Sequence, residues 1–272
     1  MSFGSRFDAA RRAYGPLCVG IDPHARLLGE WGLPDSIEGL ERFAATCVEA
    51  FAGQVGFVKP QSAFFERFGA AGVAVLERTL QDFRHTGTLT VLDVKRGDID
   101  STAAAYAEAY LDEDAPMAAD AVTVSPFLGF GSLRPFFDVA ADNDAGVFVL
   151  ALTSNKEGPQ YQHARTESGE TVAGSVLSQL RSMNTGASPI GSFGAVVGAT
   201  IGSSIEPLDI NGPLLVPGFG AQGGTVVDLR RLFGSVFDQV LASSSRGILA
   251  AGPDAATLRA EAVRTNAELV GS

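Results

Sequence analysis

Between Thr88 and Thr102 the chain reads T-L-T-V-L-D-V-K-R-G-D-I-D-S-T, which places Asp93, Lys95 and Asp98 within a few residues of one another. The stretch begins as an apolar run rich in Val, Leu and Thr, the composition of a buried strand. Side chains alternate across a strand, so Val91, Asp93 and Lys95 share one face and Leu92 and Val94 take the other. A carboxylate and an ammonium thus leave an apolar element on the same side, where the acid can keep the lysine charged and aimed. Gly97 frees the backbone to turn, and Asp98 or Asp100 is placed to cap a helix running to about Leu111.

The elements that must position these groups recur along the chain. Apolar runs at Leu17–Asp22, Val55–Lys59, Leu89–Lys95, Ala121–Ser125, Val147–Thr153, Phe193–Ile201, Leu214–Gly218 and Val240–Ser245 read as strands. Between them, Ser36–Phe51, Gly69–Arg84, Thr171–Met183 and Thr225–Phe237 have the length and amphipathic pattern of crossover helices. Apolar strands alternating with helices imply a parallel sheet covered by those helices, and eight units imply a closed (β/α)8 TIM barrel. The rival is an open doubly wound sheet, which the lack of a G-x-G-x-x-G fingerprint after the first strand disfavours. At 272 residues with no low-complexity linker, residues 1–272 read as a single barrel domain. Lys156–Ser192 is the least regular part and reads as one helix and a surface loop after the fifth strand. Ala260–Val270 reads as a closing helix.

Composition excludes several classes. A formal charge of −11 argues against nucleic acid or an anionic membrane as a partner. No apolar run has the roughly 18–20 residues that span a bilayer, and the polar start M-S-F-G-S-R-F-D is unlike a secretory signal, so a cytoplasmic location is expected. Cys18 and Cys47 lie in apolar surroundings and read as reduced core residues, and His24, His85 and His163 form no ligand cluster, so no metal site is expected.

Polar residues share an address at or just past the strand ends: Asp22, Lys59, Asp93, Lys95, Ser125, Ser154, Gln222 and Arg246. In a barrel those ends meet on one rim, where sites are built. Lys59, Asp93 and Lys95 should pair there, because isolated buried charges are costly. The glycine-rich turn Val216–Thr225 and the S-S-S-R-G-I segment, with Arg246 beside Gly247, supply the parts of a phosphate site after strands seven and eight.

D-V-K-R-G-D-I-D-S-T at Asp93–Thr102, G-I-D-P at Gly20–Pro23, F-V-K-P-Q at Phe57–Gln61, P-G-F-G-A-Q-G-G at Pro217–Gly224 and S-S-R-G-I at Ser244–Ile248 together resemble the orotidine 5'-phosphate decarboxylases. With L-T-S-N at Leu152–Asn155 the wording is similar to the type 2 branch found in bacteria. The resemblance implies conversion of orotidine 5'-phosphate to UMP and CO2 without a cofactor, the last step of de novo UMP synthesis. It implies that Asp22 and Lys59 hold ribose hydroxyls and that Asp93 and Lys95 flank the reacting carbon. Ser154 would meet the pyrimidine, Gln222 and Arg246 would hold the phosphate, and Pro217 and Gly247 would line the substrate. Asp98, Ile99 and Thr102 would enter the site of a second subunit, which implies a homodimer. Two other readings remain open here: a related sugar-phosphate barrel using Mg²⁺, which needs carboxylates free for metal, and a barrel that binds nucleotides without turnover.

Overall fold

Eight parallel strands close on themselves in sequence order, β1 beside β2 and so on until β8 pairs with β1, in the computed structural model, which describes residues 1–201, 206–220 and 223–271. The chain runs α1 (Phe3–Tyr14), β1 (Leu17–Ile21), α2 (Ala25–Glu30), α3 (Ile37–Phe51), β2 (Phe57–Pro60), α4 (Ser62–Glu66), α5 (Gly69–Phe83), β3 (Leu89–Arg96) and α6 (Asp100–Leu111). It continues with β4 (Ala121–Val124), α7 (Arg134–Asp142), β5 (Gly146–Leu152), α8 (Gly158–Gln162), α9 (Val172–Met183), β6 (Phe193–Val197) and β7 (Leu214–Pro217). The last elements are α10 (Val226–Phe233), β8 (Val240–Ser244), α11 (Arg246–Leu249) and α12 (Ala255–Val270). The closed barrel expected from the alternating pattern is present, and the open sheet is excluded.

The strands are apolar on both faces because both are covered. Val19, Val58, Leu92, Val94, Val122 and Val149 face outward into the layer shared with the helices. Cys18, Phe57, Val91, Ala121, Phe148, Val196, Leu215 and Leu241 fill the barrel's interior. Leu40, Phe43, Cys47 and Phe51 recur at helical spacing along α3 and supply one stripe of the outer layer. Both cysteines are free and buried, and burial pushes the Cys18 thiol up to about 12, so it stays protonated.

Three expectations need correction, and α1 is an element that the sequence reading did not assign. The polar-looking N-terminus forms α1, which seals the end of the barrel away from the functional rim. Phe3 meets Phe148 edge-on at 6.1 Å and Phe7 packs 5.2 Å from Phe57. Gly146 permits this, since a Cβ there would sit 2.3 Å from the Phe3 ring. The segment after β5 holds two helices, α8 and α9, rather than one. Between β6 and β7 there is no helix among the described residues. Finally, neither Asp98 nor Asp100 caps α6: its N-cap is Ile99, without a side-chain cap, and the Asp98 carboxylate instead accepts from the Ile99 N–H at 2.8 Å. Asp100, already inside the helix, has a left-handed φ of 47°.

Candidate active site

Asp93, near the end of β3, is held on both oxygens. Lys59 Nζ on β2 donates to its Oδ2 at 2.9 Å and Lys95 Nζ donates to its Oδ1 at 2.6 Å. Thr123 on β4 adds a third donor, its hydroxyl giving to Oδ1 at 2.7 Å. The expected network of Lys59, Asp93 and Lys95 is thus formed. Its members differ in exposure: the side chains of Lys59 and Asp93 are each 8% exposed, whereas that of Lys95 is 46% exposed. Burial opposes the charge on Lys59, but the carboxylates of Asp93 and Asp22 outweigh it and hold its pKa above the usual lysine value. Burial likewise opposes the charge on Asp93, and the ammoniums of Lys59 and Lys95 outweigh it, so its carboxyl lies well below the usual range. Lys59 and Asp93 therefore stay ionised near neutral pH.

Lys95 reaches this position through an unusual backbone. Its φ is 45°, a left-handed conformation that costs a lysine roughly 1–2 kcal/mol. It sits in an irregularity of the β3–β4 pairing, where Leu92 pairs with Val122 and the next pair is Arg96 with Val124. Arg96 is tied down beyond it by Glu66 at 2.7 Å.

Above the cluster opens a cavity of 360 Å³, large enough for a nucleotide. Asp22, Lys59, Asp93, Lys95, Ser154, Pro217 and Arg246, all anticipated from sequence, line it together. Two of its polar atoms are buried and have no hydrogen-bond partner among the described residues: Asp22 Oδ1 and Ser245 Oγ. Polar groups in that state are satisfied when a ligand supplies the partner. Ser245 fits only because position 20 is glycine, where a Cβ would come within 2.6 Å of the Ser245 Cβ.

The sequence profile described as the "Orotidine 5'-phosphate decarboxylase / HUMPS family" matches residues 15–260. The chain belongs to this family. A curated orotidine 5'-phosphate decarboxylase of Nocardioides sp. (strain ATCC BAA-499 / JS614) is 62% identical over 270 residues, covering 98% of each chain. One of Streptomyces coelicolor is 57% identical over 268 residues, covering 98% of this chain and 96% of the relative. A crystal structure from Streptomyces avermitilis superposes with a TM-score of 0.97 at 55% identity, covering 99% of this chain and 95% of that one. Membership in the orotidine 5'-phosphate decarboxylase / HUMPS family agrees with the resemblance drawn from the motifs.

Not every anticipated residue enters the cavity. Asp98 is half-buried and Ile99 and Thr102 are exposed, and none of the three lines the cavity of its own chain. Gly247 is exposed in α11, beside Arg246 but not in the lining, and Gln222 lies outside the described residues. Ser125 does not line the cavity either: its N–H donates to the Arg96 carbonyl at 2.7 Å, and Thr123, two residues earlier, supplies the polar contact from β4. Gln61, Asn155, Ser243 and Ser245 line the cavity without having been singled out. All four stand inside quoted motifs or directly beside one, so the signal was there. Among the described residues no group of three or more His, Cys, Asp or Glu is arranged to hold a metal ion, and both oxygens of Asp93 are already taken by lysines.

Proposed function

We propose that this chain removes CO2 from orotidine 5'-phosphate to give UMP without a cofactor, and that Lys95 is the group that stabilises and protonates the reacting carbon. The observation that carries this is one half-exposed ammonium, Lys95, anchored on a buried carboxylate at the edge of a nucleotide-sized cavity. Breaking the bond between C6 and the carboxylate leaves an electron pair in the ring plane, where the pyrimidine π system delocalises it poorly. A fixed positive charge beside C6 lowers the energy of that pair without having to reorganise. As CO2 departs, the pair takes a proton from Lys95 Nζ, and the neutral amine is recharged from solvent. Asp93, 2.6 Å from Lys95 Nζ, keeps the ammonium aimed before each turnover.

The remaining roles follow the lining. Asp22 and Lys59 bind the ribose hydroxyls, and the unpartnered Asp22 Oδ1 supports this. Arg246, with Gln222, Pro217 and Gly247, binds the phosphate, and Ser154 meets the pyrimidine edge. One lysine contact falls short of the roughly 8–23 kcal/mol of barrier reduction usual for enzymes, so phosphate binding energy must help organise the site. Asp98, Ile99 and Thr102 act in the cavity of a second copy of the chain, which makes the working unit a homodimer. Their place outside the cavity of their own chain, with Ile99 and Thr102 exposed, supports this. The whole chain, 1–272, acts as one catalytic domain in the cytoplasm. No helix among the described residues is long and apolar enough to cross a membrane.

The deciding experiment follows the absorbance of orotidine 5'-phosphate without added metal. Turnover by the wild type, with Lys95→Ala lowering kcat by at least about 10⁴-fold, is expected, since both the charge and the proton donor are removed. UMP bound tightly by a wild type that never consumes orotidine 5'-phosphate, or activity lost to EDTA and restored by Mg²⁺, defeats the proposal.

A further inference from the structure

The β3–β4 pairing slips at the site itself. Between the pairs Leu92–Val122 and Arg96–Val124, three residues of β3, Asp93, Val94 and Lys95, stand against the single β4 residue Thr123. A bulge of this kind re-aims side chains, and it also takes backbone N–H groups away from their ladder partners. The Lys95 N–H finds a substitute in Thr123 Oγ1, which accepts it at 3.0 Å. The same hydroxyl donates to Asp93 Oδ1 at 2.7 Å, and that oxygen also receives the Lys95 ammonium at 2.6 Å. A hydroxyl has one proton to give, and an N–H seated on a lone pair fixes the direction in which that proton points. A closed circuit results, running from the Lys95 backbone through Thr123 to Asp93 and back to Lys95 Nζ.

We propose that Thr123 is a positioning residue of the decarboxylation, its hydroxyl holding the Lys95 backbone in the left-handed conformation that aims the ammonium at the reacting carbon. Lysine does not settle at a φ of 45° unless its surroundings hold it there. The Thr123 hydroxyl is the side-chain group bonded both to that backbone and to the carboxylate anchoring the ammonium. Thr123 is 1% exposed and lies outside the cavity lining, so it acts through Lys95 and does not touch substrate. Packing alone would be served as well by valine, which has the same branched shape and suits a buried strand better than a polar side chain. The inference rests on the decarboxylase reading above.

Thr123→Val keeps the shape and removes the hydroxyl, and Thr123→Ser keeps the hydroxyl. For Thr123→Val, kcat is expected to fall by about 10- to 100-fold, each factor of ten being about 1.36 kcal/mol of barrier. KM for orotidine 5'-phosphate and Kd for UMP should stay within about threefold of wild type, because the interaction lost matters in the transition state and not in ground-state binding. Thr123→Ser should recover kcat to within about threefold, since it restores both hydrogen bonds. A kcat for Thr123→Val within about threefold of an active wild type overturns the proposal, and so does an equal fall in UMP affinity that serine fails to rescue. Should the valine variant not fold, Thr123→Cys takes its place, sulfur being a weak donor and acceptor, with the same limits on kcat. Wild-type turnover in the same assay tests the decarboxylase reading separately from the role of Thr123.

Discussion

Replacing Lys59 by methionine removes one of the two cations on Asp93 while keeping most of the side chain's length. The side chains of both partners are only 8% exposed, so Asp93 Oδ2 would lose its 2.9 Å donor where water cannot readily replace it. Breaking a buried pair by deleting one member costs about 3–5 kcal/mol, mainly through the charge left behind. Here Asp93 keeps the Lys95 ammonium and the Thr123 hydroxyl on its other oxygen, which places the expected loss near the lower end, about 3 kcal/mol. At about 2–4 °C per kcal/mol for a chain of this size, Tm should drop by roughly 6–12 °C. Asp93→Asn alone should cost a similar amount, because it leaves two ammoniums facing a neutral amide. The double variant Lys59→Met/Asp93→Asn should be more stable than the sum of the two losses by about 2 kcal/mol, the mark of groups that interact directly. Urea denaturation of all four proteins near neutral pH measures the cycle. A single-variant loss below about 1 kcal/mol, or additivity within about 0.5 kcal/mol, would refute the view that the buried carboxylate depends on Lys59.

Further expectations concern the phosphate, the second subunit and pH. Arg246→Ala should lower kcat/KM for orotidine 5'-phosphate by about 10- to 150-fold, the worth of a charged hydrogen bond, while leaving turnover of the phosphate-free nucleoside unchanged; steady-state kinetics on both substrates decide it. Inactive Lys95→Ala and Asp98→Ala chains should regain activity when mixed, because a hybrid dimer has one site with both residues intact; verified subunit exchange without recovery removes the shared site. The Asp93 carboxyl is held below its ordinary 3.8, so its contribution to stability is complete above that value and is lost as pH falls through the lowered one. Lys59 is held above its ordinary 10.5, so its contribution is complete below that value and is lost as pH rises through the raised one. The stability gap between wild type and Lys59→Met should therefore be flat from about pH 4 to about pH 10 and shrink outside that window, which melting curves across pH would reveal.

The strands and the site were legible to different depths. Short apolar runs bounded by turns fixed all eight strands to within a few residues, because barrel strands covered on both faces need little else. Asp93 and Lys95 were legible as neighbours on one face, and Lys59 as their partner, because strand ends in a barrel meet on one rim. What sequence did not reveal depends on pairs of elements. The slip between β3 and β4 is a property of two strands about thirty residues apart, and it moves the useful polar side chain of β4 from Ser125 to Thr123. Helix α1 spaces Phe3, Phe7 and Ala10 along one face, but the segment reads as polar until the barrel is known to have an open end needing cover. Asp98 reads as a cap by residue type, yet its carboxylate turns to the adjacent Ile99 N–H, leaving Ile99 as N-cap.

That N-terminal cover bears on how the molecule is made. Phe3 is synthesised long before Phe148, on which it rests, and a Cβ at Gly4 would fall 2.1 Å from the Ile190 carbonyl. Its seat is not complete until translation has passed Ile190, roughly 10–40 s later at about 5–20 residues per second. During that interval the Phe3 ring stays uncovered on the nascent polypeptide, and the floor is laid only after most of the walls have been synthesised.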